Sequence, residues 1–266
     1  MAVTQVQQAS TDGMDVWRVP CLSDNYSWLL RDASGKVAMV DPAELGPVVA
    51  ALEQLGLKLD YILNTHHHDD HVGANLALKE KFGCKIVGPK ADEKRIPGID
   101  VALGDGETFA VGEQKMVVFD TPGHTTGHIT LFFEDAKALF PGDTLFLMGC
   151  GRMFEGTPQQ FWGSLNRLKS LNPEARVYCA HEYTQSNAKF AVSVDPENPA
   201  LAARKEKIDA ARAAGEATVP GVLGDELTTN PFLRPDDPKI RAKLGVAADA
   251  PMDEAWAAIR KAKDNF

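Results

Sequence analysis

The chain has 266 residues, with 37 Asp or Glu against 28 Lys or Arg, for a formal net charge of −9. This length predicts one domain of about 170 to 180 residues plus a smaller unit. The acidic balance argues against nucleic acid or an anionic membrane as a partner, and no run approaches the roughly 18 apolar residues of a membrane helix. The four cysteines are scattered without a Cys-x-x-Cys pair, so we expect reduced thiols in a cytoplasmic protein.

The first half of the chain predicts strands interrupted by helices. Apolar segments separated by turn residues indicate antiparallel strands at 15–20, 26–31 and 36–40. A helix at 47–55 ends at Gly56, and a strand at 60–63 and a helix at 75–82 follow. Further strands are predicted at 85–87, 107–111, 115–119, 129–133, 138–140 and 176–179.

Beyond Tyr183 the composition changes. Segments rich in Ala, Lys and Glu have helical spacing at 186–194, 199–214, 238–244 and 253–263, and only the segment around 221–227 resembles a strand. We therefore expect an α/β catalytic domain over residues 1–183 and a mainly helical domain over residues 184–266.

A run of potential metal ligands, Asn-Thr-His-His-His-Asp-Asp-His-Val at 64–72, follows the strand at 60–63 and contains four of the seven histidines. The spacing His66-x-His68-x-Asp70-His71 predicts two half-sites. Imidazole and carboxylate ligands without thiolates suit zinc, iron or manganese. The alternative is a polar loop that binds metal only adventitiously.

Three later strand ends also present His or Asp, and loops at one edge of a sheet build sites in layered α/β folds. We expect one metal ion on His66, His68 and His124, and a second on Asp70, His71 and His181. Asp143 would bridge both ions. A water held between two dications would lose its proton near neutral pH, since one zinc lowers a water pKa from about 15.7 to about 7. The resulting hydroxide suits hydrolysis of an acyl compound, and Asp70 could orient it or carry its proton.

The pattern Thr-His-x-His-x-Asp-His, followed by Gly-His, Gly-Asp and a late His, resembles the metallo-β-lactamase superfamily. Within it, the segments 20–26, 122–125, 140–146, 149–152, 154–157 and 181–184 resemble the glyoxalase II (hydroxyacylglutathione hydrolase) family. The resemblance implies a four-layer αββα sandwich with a C-terminal mainly helical domain that binds glutathione. It also implies a binuclear thioester hydrolase that converts S-(R)-lactoylglutathione to glutathione and D-lactate, the second step of methylglyoxal detoxification. We expect a monomer with two divalent ions, zinc first, with iron or manganese as alternatives.

The resemblance extends to substrate-binding positions. A terminal Arg-x-x-Lys-Asp-x-Phe motif is matched by Arg260, Lys263, Asp264 and Phe266, and further glutathione positions are matched by Arg152 and Tyr183. Where many members have a Tyr in this substrate-binding segment, the chain has Phe154, so a phenol hydroxyl is missing. Without the resemblance, a solvated helix face would be the alternative for Arg260 and Lys263.

Three rival functions can be compared with a thioester hydrolase. A glutathione persulfide dioxygenase of the same superfamily would use one iron, and it is disfavoured because the second ligand set and the basic terminal helix are both present. A redox module would carry a fused flavin or rubredoxin-like segment, which the sequence lacks, and a pure binding protein would need closed structural metal sites.

Overall fold

The structure is a computed structural model that describes residues 5–266. A first sheet has seven strands in chain order, antiparallel as far as β4 and parallel beyond it. Parallel neighbours need a crossover, which helices supply between β4 and β6. The strands are β1 (Gln7–Gln8), β2 (Met14–Cys21), β3 (Asn25–Asp32), β4 (Val37–Val40), β5 (Tyr61–Leu63), β6 (Lys85–Pro89) and β7 (Val101–Leu103).

A second sheet has six strands in the order β13-β12-β11-β10-β9-β8. Its pairs are antiparallel except β11 with β12. The strands are β8 (Thr108–Val111), β9 (Gln114–Asp120), β10 (Ile129–Phe133), β11 (Ala138–Phe140), β12 (Arg176–Val177) and β13 (Gly221–Val222).

Helices cover both sheets and form most of the C-terminal region. Among residues 5–266, no helix combines the length and apolar character needed to cross a bilayer. The helices are α1 (Leu45–Leu55), α2 (Asp69–Val72), α3 (Asn75–Phe82), α4 (Pro158–Lys169), α5 (Thr184–Val194), α6 (Pro199–Ala213), α7 (Leu223–Thr229), α8 (Pro238–Leu244) and α9 (Met252–Asp264), with 3-10 turns at Lys90–Asp92 and Pro231–Leu233.

Alternation along β3 shows how the layers are assembled. Trp28 and Leu30 belong to the core between the sheets, whereas Leu29 belongs to a second core with Leu52 of α1 and Leu78 of α3. Successive side chains of a strand point to opposite faces, so β3 is covered on both sides. Helix α4 packs against α9, and its Arg167 lies over the Phe119 ring of β9 in the second sheet. The predicted four-layer αββα sandwich with a helical C-terminal region is confirmed.

Several elements differ from the sequence prediction. Helix α4 was not predicted, and residues 223–229 form a helix where a strand was considered. The predicted strand at 176–179 ends at Val177, because Ala180 and His181 turn to pair with the start of β3. The ligand run is a loop only as far as His68, since residues 69–72 form one helical turn.

Candidate metal centre and substrate cavity

Three imidazoles converge at the end of β5. The Nε2 atoms of His66 and His124 lie 3.1 and 3.0 Å from Nδ1 of His68. His66 is completely buried in the loop after β5, His68 precedes the turn α2, and His124 comes from the loop after β9. The three ligand atoms are close enough to one another to hold a single metal ion. The structure therefore brings together the first predicted ligand set.

A second group lies beside the first. The Oδ2 atom of Asp70 lies 3.5 Å from Nε2 of both His71 and His181. The helical turn α2 puts Asp70 and His71 on adjacent positions, and a β-bridge between His181 and Asn25 fixes His181 at the edge of the first sheet. These three residues are the second predicted ligand set.

Asp143 lies between the two groups. Its Oδ1 atom is 3.4 Å from Nε2 of both His71 and His181, and its Oδ2 atom is 3.5 Å from Nε2 of His124. Within residues 5–266, neither Asp143 Oδ1 nor His71 Nε2 has a hydrogen-bond partner although both are buried. Unpartnered buried polar atoms are rare and call for an explanation such as an ion. The donors, all nitrogen or oxygen, therefore fit two divalent cations.

The opposite ring nitrogens of the histidines are also engaged. Nδ1 of His71 donates to Asp41, Nδ1 of His181 donates to Asp24, and Nδ1 of His124 donates to the Arg152 carbonyl, at 3.0, 2.9 and 2.8 Å. Such bonds set the ring orientation and the tautomer that leaves Nε2 available. Asp24 and Asp41 were not predicted as site residues from the sequence, although Asp41 directly follows a predicted strand and Asp24 lies two residues before another.

Asp41 occupies an unusual backbone conformation. Its φ is 47°, in the left-handed region that residues other than glycine seldom adopt. There its carboxylate accepts from the Thr65 amide at 2.8 Å and the Thr65 hydroxyl at 2.7 Å, besides His71. Backbone strain of this kind persists where surrounding contacts hold it, commonly at functional sites.

The electrostatics of the cluster favour the metal-binding form of Asp143 and His66 but favour protonation of His181. Burial would raise the pKa of Asp143, but the positive charges of His181 and His71 outweigh burial and lower that pKa well below its usual range. Burial acts to lower the pKa of His181, yet the negative charge of Asp143 and the hydrogen bond to Asp24 raise it to about 9. Burial holds the pKa of His66 well below 6.5. Carboxylate and neutral imidazole are the forms that bind metal, and protons compete for the other nitrogens.

Nearby residues outside the ligand sets have other contacts. His128 is buried, and its Nε2 accepts from the Asp143 amide at 3.1 Å while its ring stacks on His66. His67 contacts Asp92 at 3.0 Å, and Asp69 is exposed. Cys179 is fully buried in the larger hydrophobic core.

A cavity of about 330 Å³ opens onto His124 and Asp143. All five predicted substrate residues line it, namely Arg152, Phe154, Tyr183, Arg260 and Lys263. The Tyr183 ring stacks on His181 at a centroid distance of 4.7 Å, and the Phe154 ring, 61% exposed, lies 5.2 Å from His124. The aromatic rings of Phe154 and Tyr183 therefore line the same cavity as His124 and Asp143.

The cations of this cavity differ in their partners. In the described part of the chain, no carboxylate lies within 4.0 Å of the charged groups of Arg152 or Lys263. The hydrogen-bond partners of Lys263 Nζ within residues 5–266 are the carbonyl and hydroxyl of Ser186 at 3.5 and 3.4 Å, and Nζ lies over the rings of Phe190 and Phe266. Two uncompensated positive charges in an acidic protein indicate a site for an anionic ligand.

Residues 23–181 match the family model of the metallo-beta-lactamase superfamily, and residues 182–266 match that of the hydroxyacylglutathione hydrolase C-terminus. A hydroxyacylglutathione hydrolase of Methylococcus capsulatus is 54% identical to this chain, and the match covers 95% of this chain and 99% of that protein. A hydroxyacylglutathione hydrolase of Rhizobium meliloti is 50% identical, and the match covers 92% of this chain and 96% of that protein.

Among solved structures, ETHE1 from Myxococcus xanthus matches with a TM-score of 0.62 and 24% identity over 96% of this chain and 98% of its own. TTHA1623, crystallised in a di-iron-bound form, matches with a TM-score of 0.56 and 25% identity over 79% and 95%. The two ligand groups and the terminal motif thus agree with near full-length sequence similarity, and the chain belongs to the hydroxyacylglutathione hydrolase family of the metallo-β-lactamase superfamily.

Proposed function

We propose that the protein hydrolyses S-(R)-lactoylglutathione, or a related 2-hydroxyacyl glutathione thioester, to glutathione and the free hydroxy acid, D-lactate for the lactoyl substrate. This would be the second step of methylglyoxal detoxification. The observation that carries the proposal is the shared cavity, in which the proposed metal ligands His124 and Asp143 lie at one wall and the side chains of Arg152 and Lys263, which have no carboxylate partner in the described residues, lie at another. The names of the related hydrolases support it.

We propose that His66, His68 and His124 hold one divalent cation, that Asp70, His71 and His181 hold the other, and that Asp143 is shared. Zinc is the proposed metal, and iron or manganese would suit the same ligands. The di-iron-bound form of the related TTHA1623 supports a binuclear centre. When bound, the cations would lower the pKa of a water and polarise the acyl carbonyl.

The side chains would then orient the reactants and move one proton. Asp143 and Asp70, both ionised, would place their oxygens around the attacking water, and the Asp70 carboxylate would take its proton. Asn25 donates to Asp70 Oδ2 at 2.9 Å and keeps that carboxylate in position. The water oxygen forms a bond to the acyl carbon, the C–S bond breaks, and the glutathione thiolate receives the proton. A thiolate is a good leaving group, so no strong general acid is required.

The glutathione part would lie along the basic side of the cavity. Its two carboxylates match the charges of Arg152 and Lys263, which lack a carboxylate partner in the described residues. Tyr183 and Phe154 would flank the peptide, and Arg260 lines the same wall.

The organisation around the site is also proposed. We retain a catalytic domain over 1–183 and a glutathione-binding helical domain over 184–266, which the adjoining family-model matches support. We propose a monomer, since one chain supplies both ligand groups and the cavity. Four buried free cysteines support a reducing compartment, and we propose the cytoplasm.

A thioester hydrolysis assay on the purified protein, with elemental analysis in parallel, tests the proposal. We expect turnover of S-(R)-lactoylglutathione with release of D-lactate and two metal ions per chain. If the protein binds two metals but does not turn over lactoylglutathione, the proposed substrate is wrong and another acyl substrate of the superfamily must be tested.

A further inference from the structure

The segment between Asp143 and Arg152 is held by polar groups of the C-terminal region. Asn187 of α5 donates to the Leu147 carbonyl at 3.2 Å, and Asn230 donates to the Phe146 and Gly149 carbonyls at 3.2 and 3.0 Å. Glu226, fully buried, accepts from the Met148 amide at 2.7 Å. This segment, residues 146–151, therefore takes its shape from the helices that follow the catalytic domain.

The end of the segment touches the metal ligands directly. The Gly151 amide donates to the Asp143 carbonyl at 3.0 Å, and the next carbonyl, of Arg152, accepts from His124 Nδ1 at 2.8 Å. A Cβ added to Gly151 would lie 2.1 Å from the Asp143 carbonyl oxygen and 3.0 Å from His124 Nδ1. Gly151 is packed directly against Asp143 and His124. A shift of the segment 146–151 would therefore displace both residues.

Arg260 of α9 anchors this end. It is 6% exposed, and its Nη1 donates to the carbonyls of Cys150 and Gly151 at 3.2 and 3.4 Å. Its Nε and Nη2 contact Asp264 Oδ1 at 3.0 and 2.8 Å. Burial raises the pKa of the adjacent Cys150 thiol to about 12, so that thiol is neutral. The guanidinium is thus occupied by one carboxylate and two backbone carbonyls.

Lys263 provides the contrast on the same helix. It lines the same cavity, but its polar and aromatic partners in the described residues are Ser186, Phe190 and Phe266, which lie outside the segment 146–151 in the chain. Its charge remains available to a ligand. The two cations of the terminal motif therefore have different surroundings and need not have the same role.

We propose that Arg260 is a positioning residue for the metal centre: through the Cys150 and Gly151 carbonyls it fixes Asp143 and His124, so the last helix sets metal affinity as well as substrate affinity. The inference rests on the binuclear centre proposed above but not on the identity of the thioester. Groups that contact metal ligands directly commonly change metal affinity by about 10- to 100-fold when they are removed. Arg260 acts through one intervening residue, so we expect an effect near the lower end of this range.

The test compares Arg260→Met and Arg260→Lys with the matched control Lys263→Met. Metal-free protein is titrated with zinc against a chromophoric chelator, and kcat and KM for lactoylglutathione are measured on reloaded protein. We expect Arg260→Met to raise at least one zinc Kd by about tenfold or more and to lower kcat, with Arg260→Lys intermediate. Lys263→Met should raise KM but leave both zinc Kd values unchanged. A Kd within about twofold of the wild-type value counts as unchanged.

Circular dichroism checks that each variant is folded, and Arg260→Lys keeps the experiment decisive if Arg260→Met does not fold. Unchanged zinc Kd values in a folded Arg260 variant, with only KM raised, would overturn the inference and leave Arg260 as a substrate contact. Zinc titration requires no thioester, so failure of the wild type to hydrolyse lactoylglutathione would reject the proposed substrate without altering this result.

Discussion

At the scale of single residues, Asp143 occupies the position on which both ligand groups depend. One carboxylate oxygen faces His71 and His181 and the other faces His124. Asp143 also forms a possible ligand set with His66 of the first group and His71 of the second. The neighbouring His128 accepts a hydrogen bond from the Asp143 backbone amide. It therefore orients the backbone of Asp143 and is not a member of either ligand group.

Replacing Asp143 by Ala should abolish activity and the stable binding of both metals, because each proposed cation loses the same ligand. Elemental analysis after desalting measures the metal content, and circular dichroism verifies folding. The control is Asp69→Ala, because Asp69 is an exposed carboxylate next to the proposed ligand Asp70. This variant should keep the wild-type metal content. Two metals retained in folded Asp143→Ala would contradict the bridging role.

Replacing Phe154 by Tyr should lower KM by about two- to tenfold with little change in kcat. The added hydroxyl would supply one hydrogen bond to bound substrate, worth about 0.5–1.5 kcal/mol, at a ring already exposed beside His124. Steady-state kinetics measure the effect. Phe154→Leu, which removes the ring without adding a donor, should raise KM; a fall in both variants would show that the ring obstructs the substrate.

At the scale of elements, the segment that carries Phe154 is held in place through hydrogen bonds to the next residue, Glu155. Arg95 Nη1 contacts Glu155 at 2.6 Å, and the Thr126 amide donates to the same carboxylate at 2.8 Å. The hydrogen bond from Arg95 is the main reason that the pKa of Glu155 falls to about 2. The loop after β9, the turn near residue 95 and the segment before α4 are thereby joined.

Glu155→Gln should reduce the free energy of unfolding at pH 7 by on the order of 1 kcal/mol, a value discounted because the pair is partly exposed. A lowered folded-state pKa stabilises the protein above the usual glutamate pKa of 4.5, and this contribution disappears as pH falls towards 2. Urea unfolding at several pH values should show wild type and variant converging at acid pH. A constant difference would exclude the ion pair as its cause.

Helix α4 begins with a capping box. The Thr157 hydroxyl accepts from the Gln160 amide at 3.2 Å, Gln160 Oε1 accepts from the Thr157 amide at 3.0 Å, and Pro158 occupies the first turn. Thr157→Ala should cost about 1 kcal/mol of unfolding free energy in urea titration. Thr157→Ser keeps the oxygen and should lie within a few tenths of wild type; equal losses in both variants would refute the cap.

At the scale of the whole molecule, α4 and α9 join the second sheet to the C-terminal region. Trp256 of α9 is fully buried, with its ring centroid 4.9 Å from Phe161 of α4 and 6.4 Å from Phe232. Phe161 in turn packs on Gly123, where a Cβ would lie 2.3 Å from the ring. Gly123 precedes the proposed ligand His124, so packing of the last helix contacts the candidate site from this side as well.

Trp256→Ala should destabilise the protein by about 3–5 kcal/mol, because it opens a cavity among large aromatic side chains. In the described chain the indole N–H has no hydrogen-bond partner, so Trp256→Phe leaves no polar group unpaired and should cost clearly less. Thermal and urea unfolding measure both variants. Equal losses would indicate that the indole nitrogen has a bonded role.

Elements with strong local signals were predictable. Strands β3, β9 and β10 alternate or concentrate apolar residues between turn residues, and their bounds agree with prediction within about two residues. Helix α4 carried a signal too, in Thr157-Pro158 followed by Gln160. The helix at 223–229 lacked one, because it is short and its buried Glu226 is satisfied by contacts distant in sequence.

The sequence alone determined the fold class and the types of ligand, because strand periodicity and clustered His and Asp side chains are local properties of the chain. Only the tertiary structure decided how the ligands are oriented. Asp24 reaches His181 across 157 positions, and Arg260 reaches Gly151 across 109. Such contacts depend on how layers pack, which no local pattern encodes, and they separate Arg260 from Lys263 although the two residues share one motif.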